Sequence, residues 1–306
     1  MHIRRIDLNL LPVFDAIMAE ASLTAAAGRL GMTPSAVSHA LSRLRDLTGD
    51  ELFESNGRGV KPTRHALDIA RQIRSGVALL QAALVKTEVF DPASAERTFT
   101  IDIAAGGEAV VVPELAAAVR RIAPGVRLFI ANDRAALLHG ELRFGETELA
   151  LDYEDQHGDG LASELLYEDE FVVLARQEHP LLQRGAMSLE LYESLEHIGL
   201  SWTRAQGNSP LTLRLADLGI ERNILTLVTT LGSIPEIVER TDLVASLSRR
   251  VARKFAKRWP LAVHELPFEM APIGIFQVWH ERHDRDAGHL WLRQAVKAAC
   301  ARMAEN

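Results

Sequence analysis

The sequence predicts an α/β chain in three parts: a small all-α module closed by a hairpin, one long helix, and a two-lobed domain of alternating strands and helices. Three observations carry that expectation. Up to Leu44, short apolar runs repeat at helical spacing between glycine and proline breaks. From Thr63 to Asp91 there is no proline, and Gly76 is the one glycine. Beyond that, β-rich runs such as "FTIDIAA" alternate with helical ones such as "EAVVVPELAAAVRRIA".

Composition sets the outer bounds. A chain of 306 residues suggests two or three domains, and 47% hydrophobic with 25% charged residues is the balance of a soluble globular protein. No apolar run approaches the roughly 18 residues that a membrane span needs. The N-terminal "MHIRRIDLNLLPVF" has too short an apolar stretch for a signal peptide and lacks a small-residue cleavage site. A cytoplasmic protein without membrane contact is expected. The single Cys300 excludes an intrachain disulfide and a thiolate metal cluster. Net charge is −7, unevenly spread: residues 1–66 carry eight Lys/Arg against seven Asp/Glu, and residues beyond 91 hold −8. The N-terminal module is not strongly basic, so its function must be read from pattern.

In the first helix, Leu11, Phe14, Ile17 and Met18 recur on one side. Ser22 then caps "LTAAAGRL", whose stripe is Leu23, Ala27 and Leu30. Gly31 supplies the left-handed turn that ends it. Thr33 caps a third helix with Pro34 at its first position, where a missing N–H costs nothing. The inner face of that helix is Val37, Leu41 and Leu44. Two helices joined by a tight glycine turn, with the small Ala27 where they cross, make a helix-turn-helix. An ordinary αα-hairpin is the alternative. The outward residues argue against it: Thr33, Ser35, Ser38, His39, Ser42 and Arg43 join short hydroxyls, which let backbone approach bases, to groups that bond base acceptors or phosphates. They are candidate contacts to double-stranded DNA.

"ELFESNGRGVKPT" follows. Asn56-Gly57 and Gly59 favour a hairpin turn, with Arg58 and Lys61 at and just beyond its tip. A basic hairpin after a helix-turn-helix is a wing, and these two cations are candidate phosphate contacts; a plain surface loop is the other reading. From Thr63 on, Ala66, Ala70, Ile73, Val77, Leu80 and Leu84 alternate in steps of four and three, close to an a/d seam. A helix from Thr63 to Glu88 spans about 39 Å. Ile73, Val77, Leu80 and Leu84 are the candidate dimerisation residues, which would give two recognition helices for two half-sites. Packing against the C-terminal domain is the alternative.

In the C-terminal part, "FTIDIAA", "VRLFIA" and "ELALDY" read as strands of a first unit. A second unit starts near Glu168 with "EFVVLAR", "HIGLSW", "ILTLVTT" and "DLVASLS". The chain then returns through "PIGIFQVWH" to a final helix. This strand–helix alternation implies parallel sheets. Ligands in open α/β lobes meet strand C-termini and helix N-termini. That singles out Ala105, Gly106 and Gly107 after the first strand, Thr203 and Ser209 around "SWTRAQGNSP", and Thr229 and Thr230 before the next helix. His280 completes the candidate effector contacts. Capping and turn chemistry explains each of these residues equally well. No nucleophile elbow, phosphate loop or dinucleotide fingerprint is present. His280 and His283 have ligand-like spacing and His289 lies nearby, but no cysteine accompanies them, so a surface or packing role is expected. No enzyme activity, cofactor or metal is expected.

The run Ala27–Leu30–Gly31–Thr33–Ala36–Val37–Ser38–Leu41–Leu44, with Leu52-Phe53, Gly57-Arg58-Gly59 and Pro62-Thr63, resembles the LysR-type transcriptional regulators. "SHALSRLR", "GRG" and "PT" resemble its branch of nodulation and aromatic-degradation regulators, and "WHERHDRDAGHLWLR" its aromatic-responsive members. One position departs: the Arg usual in the family two residues after Leu-Phe is Ser55 here. The resemblance implies a winged helix-turn-helix at 1–64, a linker helix at 65–91, and an effector-binding domain at 92–306 like the type 2 periplasmic binding proteins. Lobe I would be about 92–167 and 269–306, and lobe II about 168–268. The implied partners are promoter DNA, a small-molecule effector, a second copy in a dimer or tetramer, and RNA polymerase if the protein activates. The alternative is a regulator of the same family without an effector, its cleft filled by its own side chains.

Overall fold

The computed structural model describes residues 7–303, apart from 58, 85–88, 104, 132–140, 144, 154, 157, 159, 183–186 and 201–208. The chain forms two compact units, Met1–Glu88 with Arg143–Glu146, and Val89–Leu142 with Thr147–Asn306.

The first unit opens with α1 (Leu10–Glu20), α2 (Leu23–Leu30) and α3 (Pro34–Thr48). The punctuation residues act as read. Ser22 Oγ accepts from Ala25 N at 3.3 Å, Thr33 Oγ1 from Ala36 N at 3.2 Å, and Gly31 turns the chain at φ 63°. Phe14, Ile17, Ala27, Val37, Leu41 and Leu44 are buried together, and the Phe14 ring lies 5.5 Å from that of Phe53. Each large side chain so buried contributes about 1.5–3 kcal/mol.

The wing is an antiparallel pair, β1 (Phe53–Ser55) and β2 (Val60–Pro62), turned at Gly57 with φ 82°. It is tied back to the α1–α2 turn, where Val60 N donates to Ala21 O at 2.9 Å. A Cβ on Gly59 would collide with that same carbonyl, so the wing's close approach requires glycine there. Asp50 Oδ1 accepts from both Leu52 N and Thr63 Oγ1 at 2.7 Å, joining the wing's entrance to the start of the next helix. That helix, α4 (Arg64–Leu84), runs for 21 residues, about 31 Å. Residues 85–88, where the longer expected helix ends, lie outside the described residues.

The second unit holds two five-stranded sheets. The first is built from β3 (Thr98–Ile103), β4 (Arg127–Ala131), β5 (Leu149–Asp152), β6 (Leu161–Asp169) and β12 (Ile273–His280), in the order β4-β3-β5-β12-β6. The second contains β7 (Phe171–Arg176), β8 (Glu196–Leu200), β9 (Asn223–Val228), β10 (Val244–Ser248) and β11 (Leu261–Glu265), in the order β11-β7-β10-β8-β9. Helices α5 (Ala105–Ile122), α6 (Leu189–Ser194), α7 (Pro210–Asp217), α8 (Ile234–Arg240), α9 (Arg249–Ala256) and α10 (Ala287–Arg302) complete it. The chain leaves the first sheet after Asp169 and returns to it at Ile273.

The parallel sheets expected from strand–helix alternation are in fact mixed. β3 pairs parallel with β4 and β5, and β8 with β9 and β10, but β12 runs antiparallel to β5 and β6. In the second sheet β7 runs antiparallel to both β10 and β11. A strand that arrives from the other sheet has no crossover helix to reverse its direction, so it enters antiparallel. Arg97 joins the two ends of this unit, with Nη1 and Nη2 on the two Asp286 oxygens at 2.8 and 2.7 Å and Nη2 on Glu148 Oε1 at 2.7 Å. Asp286 also caps α10.

Candidate DNA interface and effector cleft

On α3, Ser35, Ser38, His39, Ser42 and Arg43 are exposed, as is Thr33 before it, while Val37, Ala40, Leu41 and Leu44 are buried. The helix thus presents a polar face of the predicted composition. An open groove of about 510 Å³ runs beside it, lined by Asp7, Asn9, Met32, Ser35, His39 and Arg43. Arg43 Nη1 reaches Asp7 Oδ2 at 2.9 Å. Arg45, on the same helix, faces the other way: it donates to the carbonyls of Glu51 and Phe53 at 2.8 Å and fixes α3 to the wing. Lys61 is exposed on β2, and Arg58 lies outside the described residues.

Of the proposed seam on α4, Ile73 packs with Ile69 and Ala70 against the core of its own module. Val77 is partly buried, and the side chains of Leu80 and Leu84 lie outside the described residues.

Both sheets of the second unit line a cavity of about 80 Å³. Gly106 and Gly107 reach it from the first turn of α5, and Ser209 with Pro210 from the start of α7. A Cβ on Gly106 would touch the Tyr153 hydroxyl at 3.0 Å. One on Gly107 would press on Ile103 Cγ2 at 2.9 Å, so Gly107 serves the packing of α5 on β3. Thr229 and Thr230 are exposed and do not line the cavity; the next residue, Leu231, does. His280 lies at the far end of β12, where its ring packs on Gly160 and Nδ1 accepts from Arg282 N at 3.2 Å. Thr203 and the side chain of Ala105 lie outside the described residues.

The cavity also contains groups that sequence reading missed. Arg222, just ahead of β9, donates from Nη2 to Thr212 Oγ1 at 3.2 Å. Thr212 is hydrogen-bonded in turn to Ser209 Oγ, the α7 cap, at 2.8 Å. Burial lowers the guanidinium pKa below its ordinary value. Asp169 lines the same cavity, and burial raises its carboxyl although Glu170 N donates to it at 2.9 Å. Ser246 shares a 3.0 Å hydrogen bond with the Tyr192 hydroxyl. Nothing in "GIERN" distinguished Arg222 from any surface cation; its role is set by long-range packing.

Among the described residues no helix is long and apolar enough to cross a membrane. His283 and His289 stack at 4.6 Å, and His289 is buried, which places it in packing rather than on the surface.

A winged helix-turn-helix joined in one chain to a two-sheet α/β domain with a cleft defines the class of two-part DNA-binding regulators. The chain belongs to the LysR family: residues 8–67 match the bacterial regulatory helix-turn-helix protein of the lysR family, and residues 92–301 match the LysR substrate binding domain. It is 32% identical to the HTH-type transcriptional regulator LeuO of Escherichia coli, over 98% of this chain and 94% of that protein. It is 30% identical to nodulation protein D 2 of Sinorhizobium fredii, over 97% of this chain and 94% of the relative. A crystal structure of a probable transcriptional regulator from Pseudomonas aeruginosa superposes with a TM-score of 0.73 at 30% identity, covering 97% of this chain and 98% of that one. The family is one of transcriptional regulators.

Proposed function

We propose that this LysR-family regulator binds promoter DNA as a dimer or tetramer and answers to a small aromatic or carboxylate effector held between its two C-terminal sheets. The exposed face of α3 enters the major groove, and Lys61 with Arg58 meets phosphates. Contact with RNA polymerase follows where the regulator activates.

One observation carries the effector reading: a cavity lined from both sheets, with an apolar wall that includes Leu200, Leu231, Ile273 and Ile275 and a polar wall at Ser209 and Arg222. Mostly apolar lining with a few placed polar groups is the pattern of small-molecule sites. The volume of about 80 Å³ is below the roughly 150 Å³ that accommodates benzene. A ligand of ring size therefore has to part the lining, and that couples its binding to the spacing of the two sheets.

The same volume favours a second reading, a family member whose cleft is occupied by its own side chains and which has no small effector. A thermal-shift screen of aromatic carboxylates and phenols separates the two. A ligand at a hundred times its Kd stabilises the folded chain by about 2.7 kcal/mol. A screen with no shift for any compound selects the effector-free reading.

A further inference from the structure

We infer that Arg222 reads the charge of the effector: the cleft takes a ligand with one carboxylate, docked on the Arg222 guanidinium beside Thr212, its apolar body against Leu200, Leu231, Ile273 and Ile275. The inference rests on the effector reading above and names the class of ligand.

The argument starts from how guanidinium groups are satisfied in this unit. Arg97 is closed on two carboxylates, Glu148 and Asp286. Arg249 is closed on Glu170 and Glu265, and Arg176 on Asp242. Arg222 differs. Among the described residues it has one hydrogen bond, to a neutral threonine hydroxyl at 3.2 Å, and no ion pair. Among the described residues, the one neighbour that favours its charge is Tyr192, a phenol whose own ionisation is opposed by burial. A guanidinium stays charged at any accessible pH, so burial cannot neutralise it. A cation held in an apolar cleft with a single neutral partner is under-satisfied, and an anion from solution remedies that.

The geometry of the group and its surroundings narrow the anion. The planar fork of arginine matches the two oxygens of a carboxylate. Ser209, the α7 cap, lines the same cavity, and its hydroxyl is hydrogen-bonded to that of Thr212. The Asp169 carboxyl lines the same cavity, so a second negative group on the ligand would meet like charge. A phosphate dianion is disfavoured for that reason, and because, among the described residues, Arg222 is the one Lys or Arg in the cavity lining. The ligand class is a monocarboxylate with an apolar body.

Isothermal titration of the full chain with matched pairs tests this: benzoate against benzamide, salicylate against salicylamide, and phenylacetate against phenylacetamide. A charged hydrogen-bonded pair lost from such a site costs about tenfold or more in affinity. The expected result is an acid that binds wild type at least that much more tightly than its amide, with the preference abolished in Arg222→Gln. Arg222→Lys, which keeps the charge without the fork, should retain a reduced preference for the acid and guards against misfolding of the glutamine variant. Acid and amide binding equally, or an acid preference that survives in Arg222→Gln, would overturn the assignment of Arg222 while leaving the cleft as a ligand site. If no acid or amide binds wild type, the effector reading fails and this inference fails with it.

Discussion

Arg43 Nη1, on the exposed face of α3, lies 2.9 Å from Asp7 Oδ2, just ahead of α1. The Asp7 carboxyl is held below its ordinary range, first by the Asn9 backbone N–H and then by Arg43. An outward arginine of α3 is therefore parked on an acid of its own module. If α3 enters the groove as proposed, binding DNA exchanges that carboxylate for a phosphate or a base edge. Exposed pairs of this kind are weak and cheap to exchange. Arg43→Ala should weaken operator binding by about 1–3 kcal/mol if it reads a base, while Asp7→Asn should tighten it. Fluorescence anisotropy on operator DNA measures both. Unchanged binding in Arg43→Ala and His39→Ala, with native circular dichroism, would remove α3 from the groove.

The wing is proposed to make a different kind of contact. Lys61 is exposed on β2, within a hairpin that Asp50 and Ala21 hold to the module. Phosphate contacts carry no sequence information. Lys61→Ala and Arg58→Ala should each weaken specific and non-specific DNA about equally and lower the salt slope by about 0.9 per lost contact. A loss confined to one base pair would show that the wing reads sequence instead.

The linker helix divides into two stretches. Ile73 and Val77 are both partly buried, and Ile73 packs on the module's own core. Ile73→Asp should therefore lower the thermal midpoint of a 1–91 fragment. Val77→Asp with Leu80→Asp should leave its helix content intact and shift it from dimer to monomer in sedimentation, since unpaired charge in a seam is costly. A fragment that is already monomeric would place that seam against another surface.

The legible parts of this fold are those whose signal is local. Ser22, Thr33 and Ser209 cap helices because a short hydroxyl three residues before an N–H is a complete device in itself. β6 and β11 carry weak local signals: "LASELLYED" has its alternation broken by acids, and "LAVHE" is short. The cavity lining is half legible. The α5 glycine turn and the Ser209 cap carry local signals, but Arg222, ahead of β9, and Asp169, at the end of β6, carry no common pattern. The Thr229-Thr230 reading missed by a single residue, since the side chain that enters is Leu231. His280 lies away from the cavity for a simple reason of length. It shares β12 with Ile275, which lines the cavity, but five residues at about 3.3 Å each put it at the other end of the strand.

The two glycines of the α5 turn should behave differently. At Gly106 an added side chain points toward the Tyr153 hydroxyl, within the cavity lining. Gly106→Val should abolish ligand-induced stabilisation with little change in the melting temperature of the unliganded chain. At Gly107 the added atoms meet Ile103, a buried core residue. Gly107→Val should lower the melting temperature itself, at about 1–3 kcal/mol for overpacking. Equal ligand response in Gly106→Val and wild type would take the turn out of the site.

Two buried histidines make the fold sensitive to acid. His197 Nε2 donates to Tyr192 O and His289 Nε2 to Glu148 O, each at 2.8 Å, and in both the Nδ1 is buried without a hydrogen-bond partner. Protonation would put an unsatisfied N–H and a charge into the interior, and burial accordingly lowers His197 to about 4 and His289 to about 3. Unfolded histidine titrates near 6.5. Above that pH both states are neutral and these groups contribute nothing to the pH dependence. Between about 6.5 and 4 the unfolded chain binds protons that the folded chain refuses, so stability should fall by about 1.4 kcal/mol per pH unit for each histidine. Asp169 acts in the opposite sense, because a carboxyl raised by burial gains stability as it is protonated, and it offsets part of the loss at the acid end. Denaturant melts from pH 8 to 4.5 should show a flat region followed by this decline. His289→Gln preserves a donor to the Glu148 carbonyl and cannot be protonated, so it should make the decline shallower. A wild-type curve that stays flat from pH 7 to 5, or a decline of the same steepness in His289→Gln, would mean that His289 is not a neutral core group.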